Sequence, residues 1–451
     1  MKTKQSYRRL WVGASRLALA AIALYFFAPP VWMVARSFGD PGLTGDGIPR
    51  AAWGMHESLS KRYAYWARGR LAENSGASVG QFNISGTEWP VFGSLFYLQA
   101  TESLQEAWEA DPVTKEAPAV YAREAIIAAT DLLLDKGHAS WVIKHWGEEN
   151  YMHQDNVFYR MLRIGGMTAY TRLLGDEKYL PQLREETESL AISIDESPAG
   201  LLDDYPGECY PGDVMMAWLA IKRAGELLGT DYSARIQRGL RGFTGDCADK
   251  RGLPPYLALR NSGAPVGPAR GCANAYMGIT SPHLWPDAAR EWYAAVEAHY
   301  WRERHGIWGF LEYPEDEPRN WSFDIDAGPI VAGFSTAGSA FGVGAARANG
   351  RYDHAYPLAM EMLVTSWPLG NGMLLGPRVL SDATDAPLLG EAAILFNLTR
   401  RAAPGFETKT TSAVPPYVYG FLAFYVGSGG LILALCARDC FRLHRQAPDK
   451  K

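Results

Sequence analysis

Cysteine is sparse in this chain of 451 residues. Cys209, Cys247, Cys272, Cys436 and Cys440 are scattered, and no two form a C-x-x-C pair. A disulfide framework and a structural zinc knuckle are therefore excluded. His138, His145 and His153 share no ligand spacing on one helix, so neither a metal site nor a cofactor is expected. A cationic surplus is also missing. The formal net charge of -5 argues against nucleic acid as a partner. Strand-like alternation is scarce, which argues against a sheet-built domain.

Charge is absent from two long stretches, Leu17–Val34 and Tyr417–Ala437. Each is long enough to cross a bilayer. Before the first, residues 1–16 carry Lys2, Lys4, Arg8, Arg9 and Arg16 and no acid. After the second, residues 438–451 carry Arg438, Arg442, His444, Arg445, Lys450 and Lys451. The expected spans are residues 17–36 and 417–437. No A-x-A cleavage site follows the first, which favours an anchor over a signal peptide. Basic flanks on the outer side of both spans predict cytoplasmic termini, with residues 40–412 across the membrane.

What is plentiful is helical periodicity. Between the spans, helices are expected near 57–75, 88–109, 118–136, 155–174, 177–194, 212–229, 231–243, 273–282, 286–302, 329–348, 352–367 and 387–399. Gly175, Gly229 and Gly350 punctuate them, as glycine does just past a helix end. The expected class is all-α, with about six helical hairpins making an (α/α)6 toroid. The segment Asn320–Asn349 organises this reading. Asp324 and Asp326 precede a helix of small and apolar residues, a composition suited to a buried, closely packed position.

Aromatic and acidic residues crowd the segments leading into the proposed inner helices. These are Glu88 and Trp89, then Trp146 and Asp155, then Asp203, Tyr205, Glu208 and Tyr210. Arg270 precedes the fourth inner helix, Asp324 and Asp326 the fifth, and Asp382, Asp385 and Glu391 stand near the sixth. A helix cap needs one residue, and these segments hold several.

Two stretches resemble the bacterial linalool dehydratase-isomerase domain family. One is Asp155-Asn156-Val157-Phe158-Tyr159 through Tyr170-Thr171-Arg172-Leu173-Leu174-Gly175-Asp176-Glu177-Lys178-Tyr179. The other runs from Leu201 to Tyr232 and ends Glu226-Leu227-Leu228-Gly229-Thr230-Asp231-Tyr232. The resemblance implies an α/α toroid, here in a bacterial inner membrane. The family's catalytic cysteines align with Asp203 and about Gly212, and its histidine with Leu162, so that machinery is not retained. Carboxylates stand in its place.

Two chemistries suit carboxylates on such a rim. Glycosidic hydrolysis needs a protonated acid and a base or nucleophile. Dehydration or isomerisation of an alcohol needs an acid for the hydroxyl and a base for a neighbouring proton. The residues themselves favour the glycan reading. The expected catalytic set is Glu208 as acid with Asp324, Asp326 or Asp203 as base. The expected binding set is Glu88, Trp89, Trp146, Asp155, Tyr205, Tyr210 and Arg270. A terpenoid-alcohol lyase or isomerase is the alternative, and a non-catalytic glycan- or lipid-binding membrane protein a further one.

Overall fold

The computed structural model describes residues 2–76, 83–317, 319–324, 326–369, 372–383 and 386–445. Asp385 and the tail residues Lys450 and Lys451 lie outside these residues. The chain is mostly helical. In order it forms α1 (Lys2–Ser37), α2 (Pro41–Thr44), α3 (Arg50–Ala72), α4 (Asn83–Ala110), α5 (Pro118–Tyr121) and α6 (Arg123–Leu134). Then come α7 (Ser140–Trp146), α8 (Val157–Leu174), α9 (Leu180–Glu196), α10 (Pro211–Leu228), α11 (Ser233–Gly239), α12 (Gly271–Leu284) and α13 (Pro286–Tyr300). Five short strands follow: β1 (Trp301–Arg304), β2 (Ile307–Phe310), β3 (Trp321–Asp324), β4 (Gly328–Val331) and β5 (Phe334–Ser335). The last helices are α14 (Thr336–Ala348), α15 (Tyr352–Ser366), α16 (Leu375–Ala383), α17 (Leu389–Leu398) and α18 (Pro416–Arg445).

Six helices pack in sequence: α4 on α8, α8 on α10, α10 on α12, α12 on α14, α14 on α17, and α17 back on α4. The helices α3, α6, α9, α13 and α15 pack against these six. Small residues set the spacing. A Cβ on Gly166 of α8 would lie 2.7 Å from Leu133, and one on Gly344 of α14 would lie 2.3 Å from the Asn397 side chain. Any larger residue there would make those side-chain ends move aside. Gly175 and Gly229 end α8 and α10 in the left-handed conformation, as the sequence leads one to expect.

The segment before α14 departs from expectation. The sequence predicts helix from residue 329, whereas Trp321–Asp324, Gly328–Val331 and Phe334–Ser335 form the antiparallel sheet β3-β4-β5. Gly328, Ala332 and Gly333 all have positive φ, which makes turns and breaks a helix. The β-branched Ile330 and Val331 between them suit a strand. The helix starts only at Thr336, where the Ser335 hydroxyl accepts from Gly338 N–H at 2.9 Å. Asp324 and Asp326 therefore stand on a hairpin and do not cap an inner helix. A second departure is at Glu88, expected ahead of its helix but lying inside α4. Pro90 offers no N–H to the Gly86 carbonyl, and Arg70 donates to that carbonyl instead, at 2.5 Å.

Two helical segments, Leu10–Ser37 and Pro416–Arg442, are long and apolar enough to cross a membrane. Only 17% of the most apolar 18-residue window of each is buried. They pack antiparallel: Arg16 pairs with Asp439 at 2.9 Å, and Phe38 lies 6.1 Å from Tyr419 at the other end. The pair is tied to the rest of the molecule. Trp367, just past α15, donates its indole N–H to the Phe26 carbonyl at 2.6 Å, and Tyr425 donates to the Val364 carbonyl at 2.7 Å.

Candidate functional site

Acids and phenols gather where α4, α8, α10 and α12 begin, facing the β3–β4 hairpin. Glu88, in the second turn of α4, accepts a hydrogen bond from the Tyr205 hydroxyl. It keeps a little solvent-accessible surface while protein surrounds it. Burial pushes Glu88 up to about 8; the Tyr205 bond opposes this, and nearby Asp326 and Asp213 add to it. Glu88 is thus neutral at pH 7.

Asp204 and Asp213 form a second unit. Asp204 is buried, and its Oδ1 accepts the Phe158 N–H at 3.0 Å. Its Oδ2 is buried with no hydrogen-bond partner. Burial and then the neighbouring Asp213 push Asp204 upward, and burial raises Asp213 to about 7, with Asp204 opposing that rise. The two carboxyls titrate as a pair, and burial with their mutual repulsion favours keeping a proton on that pair. The phenol of Tyr276 lies beside both, buried and without a hydrogen-bond partner.

The hairpin completes the group. Asp326 accepts from the Tyr256 hydroxyl. Burial raises Asp326, Tyr256 opposes the rise, and Asp324 adds to it. Asp324 behaves oppositely. Burial alone would raise it, but Arg270 at 3.0 Å and the N–H groups of Asp326 and Ala327 hold it below the usual range.

The sequence-predicted residues divide. Glu88, Tyr205 and Asp326 meet electrostatically, and Trp146 supports them by donating to the Asp204 carbonyl at 2.9 Å. Trp89, next to Glu88, is partly exposed. Glu208 is exposed and accepts from Tyr210 at 2.9 Å, so the poor solvation expected of an acid there is absent. Arg270 is a buried structural cation shared by Glu312 at 2.5 Å and Asp324, not one waiting for substrate. Asp155 binds Arg260 and approaches the Asp203 N–H at 3.5 Å; Asp203 also accepts from Gly207 N–H at 2.9 Å. Those two acids brace the rim. Asp382 belongs to α16, and buried Glu391 accepts from Leu374 N–H at 3.1 Å.

Sequence reasoning passed over Asp204, Asp213, Tyr256, Tyr276 and Glu312 as contributors. The doubled Asp203-Asp204 and the position of Asp213 in the first turn of α10 were the available signals. Cys209 and Cys272 are buried, and burial pushes both thiols up, so neither is a thiolate nucleophile at neutral pH. Below the acids lies an aromatic floor. Phe92 contacts Phe158 at 5.2 Å and Tyr276 at 6.0 Å, and Tyr276 contacts Phe341 at 5.2 Å.

The acid cluster makes stability pH-dependent. Glu88 ordinarily titrates near 4.5 and here near 8, so the folded state holds a proton that the unfolded chain releases. Its contribution is fully present below 4.5 and is lost as pH rises through 8. Thermal midpoints of the detergent-solubilised protein should fall between pH 5 and 8.5, and Glu88→Gln should flatten that fall. Parallel curves for both proteins would contradict the burial argument.

Compared with known proteins, the chain matches no protein-family model, and no curated protein matches it.

Proposed function

We propose that this protein is a membrane-anchored acid–base enzyme built on an α/α toroid of the linalool dehydratase-isomerase type. The sequential packing of α4, α8, α10, α12, α14 and α17, returning to α4 within a layer of outer helices, supports the toroid. The observation that carries the chemistry is Glu88, raised to about 8 by burial, beside the coupled Asp204–Asp213 pair and a group of aromatic rings.

The reaction that fits best is dehydration or isomerisation of an apolar, allylic alcohol. Glu88 gives its proton to the hydroxyl oxygen, and the C–O bond breaks to release water. The faces of Phe92, Tyr276 and Phe341 stabilise the cation. Asp213 takes a proton from the adjacent carbon to leave an alkene, or water adds at the other allylic carbon and gives its extra proton back to the Glu88 carboxylate, which completes an isomerisation. This assignment moves the acid from Glu208 to Glu88, and the base from the Asp324/Asp326 pair to Asp213.

Glycosidic hydrolysis is the second reading, favoured by the partly exposed Trp89, Tyr210 and Tyr256 at the rim. The aromatic floor ranks it second, since sugar hydroxyls need polar partners there. Purified full-length protein in detergent, incubated separately with terpenoid alcohols and with glycans, separates the two. Alkene or rearranged alcohol supports the first reading, reducing sugar supports the second, and neither product from a broad panel rejects both.

For topology, both termini are proposed to be cytoplasmic in a bacterial inner membrane, with residues 40–412 across it. A reporter fused after Lys451 should be active only in the cytoplasm, and one inserted near Asp40 only outside. Activity on the same side would rule out two spans.

A further inference from the structure

The acid cluster and the membrane helices meet at the same end of the molecule. The chain reverses between α14 and α15 at Asn349–Arg351, so the C-terminus of α15 lies beside the N-terminus of α14. That is the end carrying the β3–β4 hairpin with Asp324 and Asp326. Trp367 stands there, bonded to the Phe26 carbonyl and 5.0 Å from the Tyr425 ring.

Phe26 is at the middle of the uncharged stretch Leu17–Val34, and Tyr425 is well inside Tyr417–Ala437. At roughly 1.5 Å per residue, Trp367 contacts each helix about 12 Å inside the outer boundary of its apolar stretch. A hydrocarbon core is about 30 Å thick. If α1 and α18 cross a bilayer, this end of the domain cannot stand clear of it.

The surface at that end has matching chemistry. From Trp367 to Pro377 the chain carries no charged residue. Val379 on α16 is 64% exposed, and Trp321 and Phe323 on β3 are 73% and 66% exposed. Val331, paired with Trp321 across the hairpin, is exposed as well. On the hairpin, Trp321, Phe323 and Val331 together form an exposed apolar face of the kind that is unusual on a water-facing surface. The hairpin sheet joins the membrane side through β2: Leu311 pairs with Phe334, Trp308 N–H donates to Glu361 on α15 at 3.0 Å, and the Gly306 carbonyl accepts from Tyr417 on α18 at 3.0 Å.

We infer that the rim made by the β3–β4 hairpin, Trp367 and Val379 is seated in the near leaflet of the bilayer, so that the acid cluster faces lipid. A substrate dissolved in the membrane then reaches Glu88 without crossing water. The inference rests on α1 and α18 spanning a membrane and does not depend on the reaction proposed above.

The test uses full-length protein in phosphatidylcholine–phosphatidylglycerol nanodiscs. Cys440, the one exposed cysteine among the described residues, is replaced by serine. An environment-sensitive dye is attached at Phe323→Cys, at Val379→Cys, or at Val113→Cys on the turn after α4 as a control. Dye at 323 and 379 should emit blue-shifted light and lose at least half its intensity to doxyl-labelled lipid, while dye at 113 behaves as in water. Water-like emission at both rim positions overturns the inference. So does a blue shift without lipid quenching, which would mean that a second copy of the chain covers the rim. Co-flotation with vesicles reports the spans separately from the rim.

Discussion

Glu88→Gln should lower turnover by about a hundredfold or more, as loss of a general acid typically does. The amide keeps the size of the side chain and still accepts from Tyr205, so the fold should survive. In the wild type, activity should decline as pH rises past about 8, where Glu88 loses its proton. Tyr205→Phe sharpens the test. The Tyr205 hydroxyl stabilises the ionised form of Glu88, so removing it should move the alkaline limb to higher pH. Glu208→Gln, at an exposed position, should leave turnover within a few-fold of the wild type. The assignment fails if Glu88→Gln is fully active, or if Glu208→Gln and not Glu88→Gln abolishes activity.

Arg270→Met should be the most damaging single change to stability outside the helix packing. The side chain of Glu312 has no exposed surface and sits against Arg270 Nε at 2.5 Å. Glu312 also accepts from the Cys272 N–H and thiol, each at 3.1 Å, which locks the first turn of α12 to the chain after β2. Removing one partner of a buried pair costs roughly 3–5 kcal/mol, because the other charge is left without compensation. Burial already pushes Glu312 up, with Arg270 opposing it. Without Arg270 the carboxyl should take a proton, so the loss should be smaller at pH 5 than at pH 8. Adding Glu312→Gln to Arg270→Met removes the stranded charge and should restore part of the midpoint. If Arg270→Met melts with the wild type at pH 8, the pair contributes nothing to the fold.

The same variant should disturb the site. Asp324 owes its low position largely to Arg270, and Asp326 is also held down by it. The pair is better described as the joint between hairpin and helix than as a substrate clamp.

Much of the secondary structure was legible in the chain. Apolar periodicity marked the long helices, and Gly175 and Gly229 ended two of them where glycine alone is comfortable with positive φ. The absence of charge marked two apolar helices. The stretch 329–335 was read as helix because its short apolar run suits helix and strand alike. Turns at Gly328 and Gly333 decided it, and they act through the strand pairing they permit.

By itself, then, the sequence determined a mostly helical domain with two apolar terminal helices and an acidic, aromatic set of connecting segments. Only the tertiary structure decided which acids hold protons. Glu88, Asp204 and Glu208 are carboxyl groups in similarly aromatic surroundings along the chain, yet two are enclosed and one faces water. Desolvation depends on what packs around a group from α8, α10, α12 and the hairpin, far away in sequence. No local pattern encodes it, so the chain alone does not tell the exposed Glu208 from the enclosed Glu88.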